Sequence, residues 1–213
     1  MANEGTPSLG SDGRYAAPDP VGSVSIIDMS NRSVVATPTF TALTPVVSSN
    51  TGSNSRQPGM DWEPEYIAVS PDGRRAFVAL QENNALGIID LDRNTAISVV
   101  GLGSQSFNQP GNEIDPRDGA GVSFVNVPVS GLYMPDAIAT YAVGGRTYVV
   151  LANEGDFRED NADRITLSGS GVQSRLRVTS DGSFAAGTRS SSIRDEAGNV
   201  VFDSGSALDR IAH

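Results

Sequence analysis

Apolar positions along the chain fall in short runs, and almost nowhere do they recur at the three- to four-residue spacing of a helix. The runs are rich in β-branched and aromatic residues and are separated by clusters of Gly, Pro, Asn, Asp and Ser, the pattern of an all-β protein. The stretch from Glu63 to Gly103 is the clearest. Tyr66-Ile67-Ala68-Val69 predicts a strand, and Ser70-Pro71-Asp72-Gly73 a tight turn in which Pro presets one φ and Gly supplies the unusual one. Arg75 to Leu80 predicts the return strand, Leu86 to Leu91 a third strand, Asp92-Arg93-Asn94 a turn and Ala96 to Val100 a fourth strand. Four antiparallel strands in about 40 residues make one blade of a β-propeller.

The unit recurs. Pro64-Glu65-Tyr66-Ile67-Ala68 matches Pro135-Asp136-Ala137-Ile138-Ala139, and Arg75 to Asn83 matches Arg146 to Glu154. Gly22 to Met29 matches the third strand, and Ala2-Asn3-Glu4-Gly5 returns unchanged as Ala152-Asn153-Glu154-Gly155. The chain therefore reads as starting at the end of a second strand. Blade-like units are expected at about 1–50, 62–102 and 133–213, within a single incomplete propeller domain. Thr39 to Gln57 reads as a loop around one short strand, and 101–131 as a long insertion. Strands are expected again at Ser174–Thr179, Ser190–Ile193 and Asn199–Asp203. Propellers close with 4–8 blades. Three blades leave open sheet edges, so the expectation is an incomplete ring or one closed by a second chain, as a homo-oligomer through those edges.

Composition narrows the chemistry. A length of 213 residues suits one domain, and the net charge of −10 with a pI near 4.4 argues against nucleic acid and anionic lipid as partners. The chain has no cysteine, which excludes disulfides, thiol nucleophiles and thiolate metal sites. Its single histidine is the last residue, His213, a poor place for a Ser-His-Asp triad. No apolar run reaches the roughly 18 residues of a membrane helix. The first residues lack the basic and apolar regions of a signal peptide, so the chain as written is expected to stay in the cytoplasm.

Several motifs in order resemble the bacterial choice-of-anchor I propeller family. They are Ala2-Asn3-Glu4-Gly5 with Asp19 to Asp28, Glu63 to Gly73, Gln81 to Ala85, Met134 to Ala139, Ala152 to Asp156 and Asn199 to Gly205. The resemblance covers nearly the whole chain but only part of the family domain, which implies an internal fragment. It implies a secreted or surface-anchored family in which some members carry alkaline-phosphatase-like or phytase-like labels. Ser191 and Arg194 stand where the family tends to have aromatic residues.

The candidate chemistry lies at strand ends. Glu4, Glu82 and Glu154 follow second strands, with Asn3, Asn83 and Asn153 beside them, and Glu65 and Asp136 share the first-strand position. Blade repetition would bring these residues, with Asp156, to one mouth, where carboxylates repel unless a cation sits among them. Oxygen donors favour calcium, with magnesium or manganese possible and zinc ranked lower. The competing reading is turn chemistry, in which the same residue types cap strand ends through side chain to backbone hydrogen bonds. Asp115-Pro116-Arg117-Asp118-Gly119 is a partial calcium-loop pattern, or an ordinary turn. Arg146, Arg158 and Arg189 could grip anions, or pair with neighbouring acids. Trp62 is a core residue or a sugar-stacking one.

Two functions follow. One is a metal-dependent hydrolase of phosphate esters, with a metal-activated water held by strand-end carboxylates, Glu82, Glu154 and Arg158 as its catalytic residues and a small phosphorylated substrate. The other is a non-catalytic surface propeller that binds an ion, a glycan or a protein.

Overall fold

The computed structural model describes residues 1–5, 7–16, 20–43, 62–117, 121–168 and 176–212. His213, Asp118 and Gly119, Asp19, most of the Thr39–Gln57 loop, and Ser174 and Arg175 lie outside the described residues.

The first blade consists of two antiparallel pairs. One is β1 (Ala2–Asn3) with β2 (Ser23–Val24), and the other is β3 (Ile26–Asp28) with β4 (Ser33–Ala36). The second blade is a four-stranded antiparallel sheet of β5 (Pro64–Val69), β6 (Arg75–Leu80), β7 (Ala85–Asp90) and β8 (Thr95–Gly101). Its first turn forms as the sequence demands. The Ser70 hydroxyl donates to Asp72 at 2.6 Å, and Gly73 sits at φ 75 with no neighbouring atom in the way of a Cβ. That glycine is required by its dihedral and not by space.

Two short strands follow, β9 (Ser104–Ser106) and β10 (Ser130–Leu132), and then the long hairpin of β11 (Pro135–Val143) and β12 (Arg146–Asn153). Its turn has only two residues, Gly144 and Gly145, both at positive φ. The chain then leaves the blade for β13 (Arg164–Thr166), β14 (Arg177–Thr179) and β15 (Phe184–Ala185). It returns as β16 (Ser190–Asp195) and β17 (Val200–Asp203), which complete the third blade in the order β11-β12-β16-β17, and ends in a short helix, α1 (Ala207–Ala212). The excursion begins and ends at a crossing of two glycines. A Cβ on Gly187 would lie 1.9 Å from the Glu154 carbonyl oxygen, and one on Gly155 would lie 2.1 Å from Gly187.

The insertion and the excursion combine. β9 and β10 join β13, β14 and β15 in a five-stranded accessory sheet with a core of its own around Phe107, Val127 and Val178. The strand at Arg177–Thr179 therefore belongs to this sheet and not to the third blade.

The blades stack through alternating faces. Ala76, Val78 and Leu80 of β6 pack toward the first blade with Val24, Phe40 and Trp62. Phe77 and Ala79 pack toward the third blade with Ile138, Val149 and Leu151. Trp62 is thus a core residue, 8% exposed. The described residues form a partial β-propeller, and among them the three blades do not close a ring.

Candidate cation-attracting mouth

Hydrogen-bond register decides which residues are equivalent. Pro64 pairs with Leu80, and Pro135 pairs with Asn153. The strand end that corresponds to Asn153 is therefore Leu80, and Gln81 corresponds to Glu154. Matching the sequences placed these pairs two residues further on, because the two-glycine turn lets the β11–β12 hairpin run longer than β5–β6. Gln81 stands next to Glu154 across the blades, its Nε2 donating to Oε2 at 3.4 Å. The first-strand carboxylates sit in bulges, Glu65 between Pro64 and Ile67 and Asp136 between Pro135 and Ala137.

The carboxylates converge by charge. Burial, followed by the charges of Glu4, Asp136, Asp156 and Glu154, pushes the Glu65 carboxyl up to about 7. Burial, followed by Glu63, Glu65 and Glu4, pushes Glu82 up to about 9. One oxygen of Glu65 and one of Glu82 are buried with no hydrogen-bond partner. Glu65 thus lies within electrostatic reach of Glu4, Asp136, Glu154 and Asp156, and Glu82 within reach of Glu63, Glu65 and Glu4. They do not form a finished coordination shell: among the described residues, no three His, Asp or Glu side chains are grouped to hold a metal ion.

The asparagines serve structure first. Asn153 Nδ2 donates to the hydroxyls of Ser190 and Ser192 at 3.0 and 3.1 Å, while its buried Oδ1 has no partner. Asn3 repeats the arrangement with Ser23 and Ser25, both at 3.0 Å. Asn83 Oδ1 accepts from the Glu63 backbone N–H at 3.4 Å. Asp115 is a local turn residue, its oxygens accepting from the backbone of Arg117 and Ser123.

Arg158 is buried among acidic side chains. Its guanidinium is 4.0 Å from Glu63 and 3.8 Å from Asp163, both buried, and stacks on the Tyr15 ring at 5.0 Å. It thereby ties the β1–β2 connection, the start of the second blade and the excursion of the third. Nothing in the sequence spacing marked Glu63, Asp163 or Tyr15 for this node. Arg189 makes a two-point ion pair with Asp209 at 2.9 and 3.2 Å. That pair borders an open hollow of about 360 Å³ shared with Asn153, Glu154 and Ser190.

The model of the choice-of-anchor I domain matches residues 1–183. The chain belongs to the choice-of-anchor I family. This family is one of secreted or cell-surface proteins, and the chain is a β-propeller module of it. No helix among the described residues is long and apolar enough to cross a membrane. No curated protein matches the choice-of-anchor I chain. Among solved structures, hydrazine synthase of Kuenenia stuttgartiensis is similar at 16% identity and a TM-score of 0.30, over 92% of this chain and 51% of that one. The chain spans about half the length of that structure, and a likeness so low carries no argument about function.

Proposed function

We propose that this choice-of-anchor I chain is a non-catalytic surface module whose acidic mouth takes up a cation, with calcium the favoured ion and magnesium or manganese alternatives. The supporting observation is the pair Glu65 and Glu82, each with a buried, partnerless oxygen and a carboxyl pushed far above its ordinary range. Carboxylates forced together in this way are relieved by protons or by a hard cation supplied from outside. The mouth supplies charge and oxygen donors, and among the described residues no three-carboxylate shell is preassembled.

Hydrolysis of phosphate esters is the less supported reading. It needs a group to grip phosphate, and Arg158 is buried against Glu63 and Asp163. Titration calorimetry with calcium at pH 8 tests the proposal. Binding is expected for the wild type and should weaken about tenfold or more in Glu65→Gln/Glu82→Gln. Absence of calcium, magnesium and manganese binding would remove it. A chromogenic phosphoester assay should show no turnover; chelator-sensitive turnover lost in Glu154→Gln would replace this reading with the hydrolase.

A further inference from the structure

Beside the accessory sheet lies a hollow of about 480 Å³, within the roughly 300–1,000 Å³ typical of small-molecule sites. Four segments wall it: the insertion, the exit from β12, the excursion and α1. These segments hold one another. Arg189 pairs with Asp209 of α1 at 2.9 Å, Arg210 pairs with Glu113 at 3.0 Å, and the Ser206 N–H donates to the Gly111 carbonyl at 2.8 Å. The walls are thus tied together within the described residues, in contrast to an open blade face.

The floor is apolar and comes from two cores. Phe107, Ile114, Leu176 and Ala185 belong to the core of the accessory sheet, and Phe157 and Ala186 to a second cluster around Leu132 and Met134. The hollow lies along the seam between these clusters and is lined by members of both. Protein interiors ordinarily pack without voids much larger than a water molecule. An apolar space of this size accepts an apolar guest.

The rim selects the charge of that guest. Its acids are already engaged: Asp209 holds Arg189 at 2.9 and 3.2 Å, Asp115 accepts from the backbone of Arg117 and Ser123, and Asp156 accepts from the Phe157 N–H at 2.8 Å. Arg177 is not engaged. Among the described residues its guanidinium, which lines the hollow, has no hydrogen bond and no ion pair. We infer that the hollow binds a small amphipathic carboxylate, with its apolar body against Phe107, Phe157 and Leu176 and its carboxylate on the Arg177 fork. Two parallel N–H···O bonds match a carboxylate to a guanidinium. Neither contact involves Glu65 or Glu82, so carboxylate binding stands apart from cation uptake.

Titration calorimetry and saturation-transfer NMR on the intact chain test it, with octanoate and 3-phenylpropionate as probes. A chelator is present throughout, so that no divalent cation contributes. Saturable binding of at least one carboxylate is expected at millimolar concentration, and octylamine should not bind. Arg177→Gln should weaken binding about tenfold or more, and Arg177→Lys less, because lysine keeps the charge and loses the fork. Ala186→Leu, which fills the apolar space, should also weaken it about tenfold or more. Arg74→Gln, on a side chain 71% exposed in the β5–β6 turn, should leave binding unchanged. Circular dichroism confirms that each variant is folded, and Ala186→Val replaces Ala186→Leu should the latter fail to fold. Absence of binding by both carboxylates would overturn the inference, as would equal binding of octylamine or an affinity indifferent to Arg177→Gln or to the substitution at Ala186.

Discussion

At the scale of single residues, Arg158 shows how burial reverses a role. Beside an acidic mouth, an arginine suggests a grip on phosphate. Its side chain is instead 8% exposed, with Glu63 and Asp163 at 3 and 8%, and it stacks on Tyr15. Removing one member of such a cluster leaves uncompensated charge in a poorly solvated place, which costs about 3–5 kcal/mol. Arg158→Ala is therefore expected to lower the thermal midpoint by about 10 °C. Scanning calorimetry checks this, and a shift of only a degree or two would mean that the node is solvated and dispensable. Glu63 and Asp163 were invisible in the sequence because their partner is fixed by how three connections meet, not by local spacing.

At the scale of elements, the blade repeat was readable and its register was not. Alternating apolar runs and the Ser-Pro-Asp-Gly turn predict the second blade nearly strand for strand, because period and turn chemistry are local properties. The two-residue offset between Arg75–Leu80 and Arg146–Asn153 arises from turn length, which matching residue types cannot see. The accessory sheet was equally hidden: its five strands come from two connections far apart in sequence, and its β10–β15 pairing is parallel. The repeated Asn–Ser–Ser clamp supplies a measurable consequence of burial at one and the same motif. Asn153→Ala removes two hydrogen bonds at a site 3% exposed and should cost about 2 kcal/mol. Asn3→Ala removes two bonds of equal length at a half-buried site, where water compensates, and should cost less than about 1 kcal/mol. Equal losses in denaturant melts would show that exposure does not separate the two clamps.

At the scale of the whole molecule, charge and proton uptake are coupled. The net charge of −10 surrounds a mouth in which Glu65 and Glu82 hold their protons to about pH 7 and 9. In the unfolded chain both would release them near the ordinary glutamate value of about 4.3. Between that value and the folded-state values, the native state binds more protons than the unfolded one. The stability these groups contribute is thus fully present below about pH 4.3 and is lost as pH rises, through about 7 for Glu65 and about 9 for Glu82. The thermal midpoint should therefore fall steadily from pH 5 to pH 9. Glu82→Gln removes the larger part of that slope and should gain about 1–3 kcal/mol at pH 8 with almost no change at pH 4. A divalent cation replaces the protons that high pH removes, so millimolar calcium should raise the midpoint at pH 8 more than at pH 5. Sodium chloride at matched ionic strength should not reproduce that difference, because screening acts on the exposed surface charges and much less on buried carboxylates. A midpoint that rises from pH 5 to pH 9 would mean that the two glutamates are solvated and ionised in the native state.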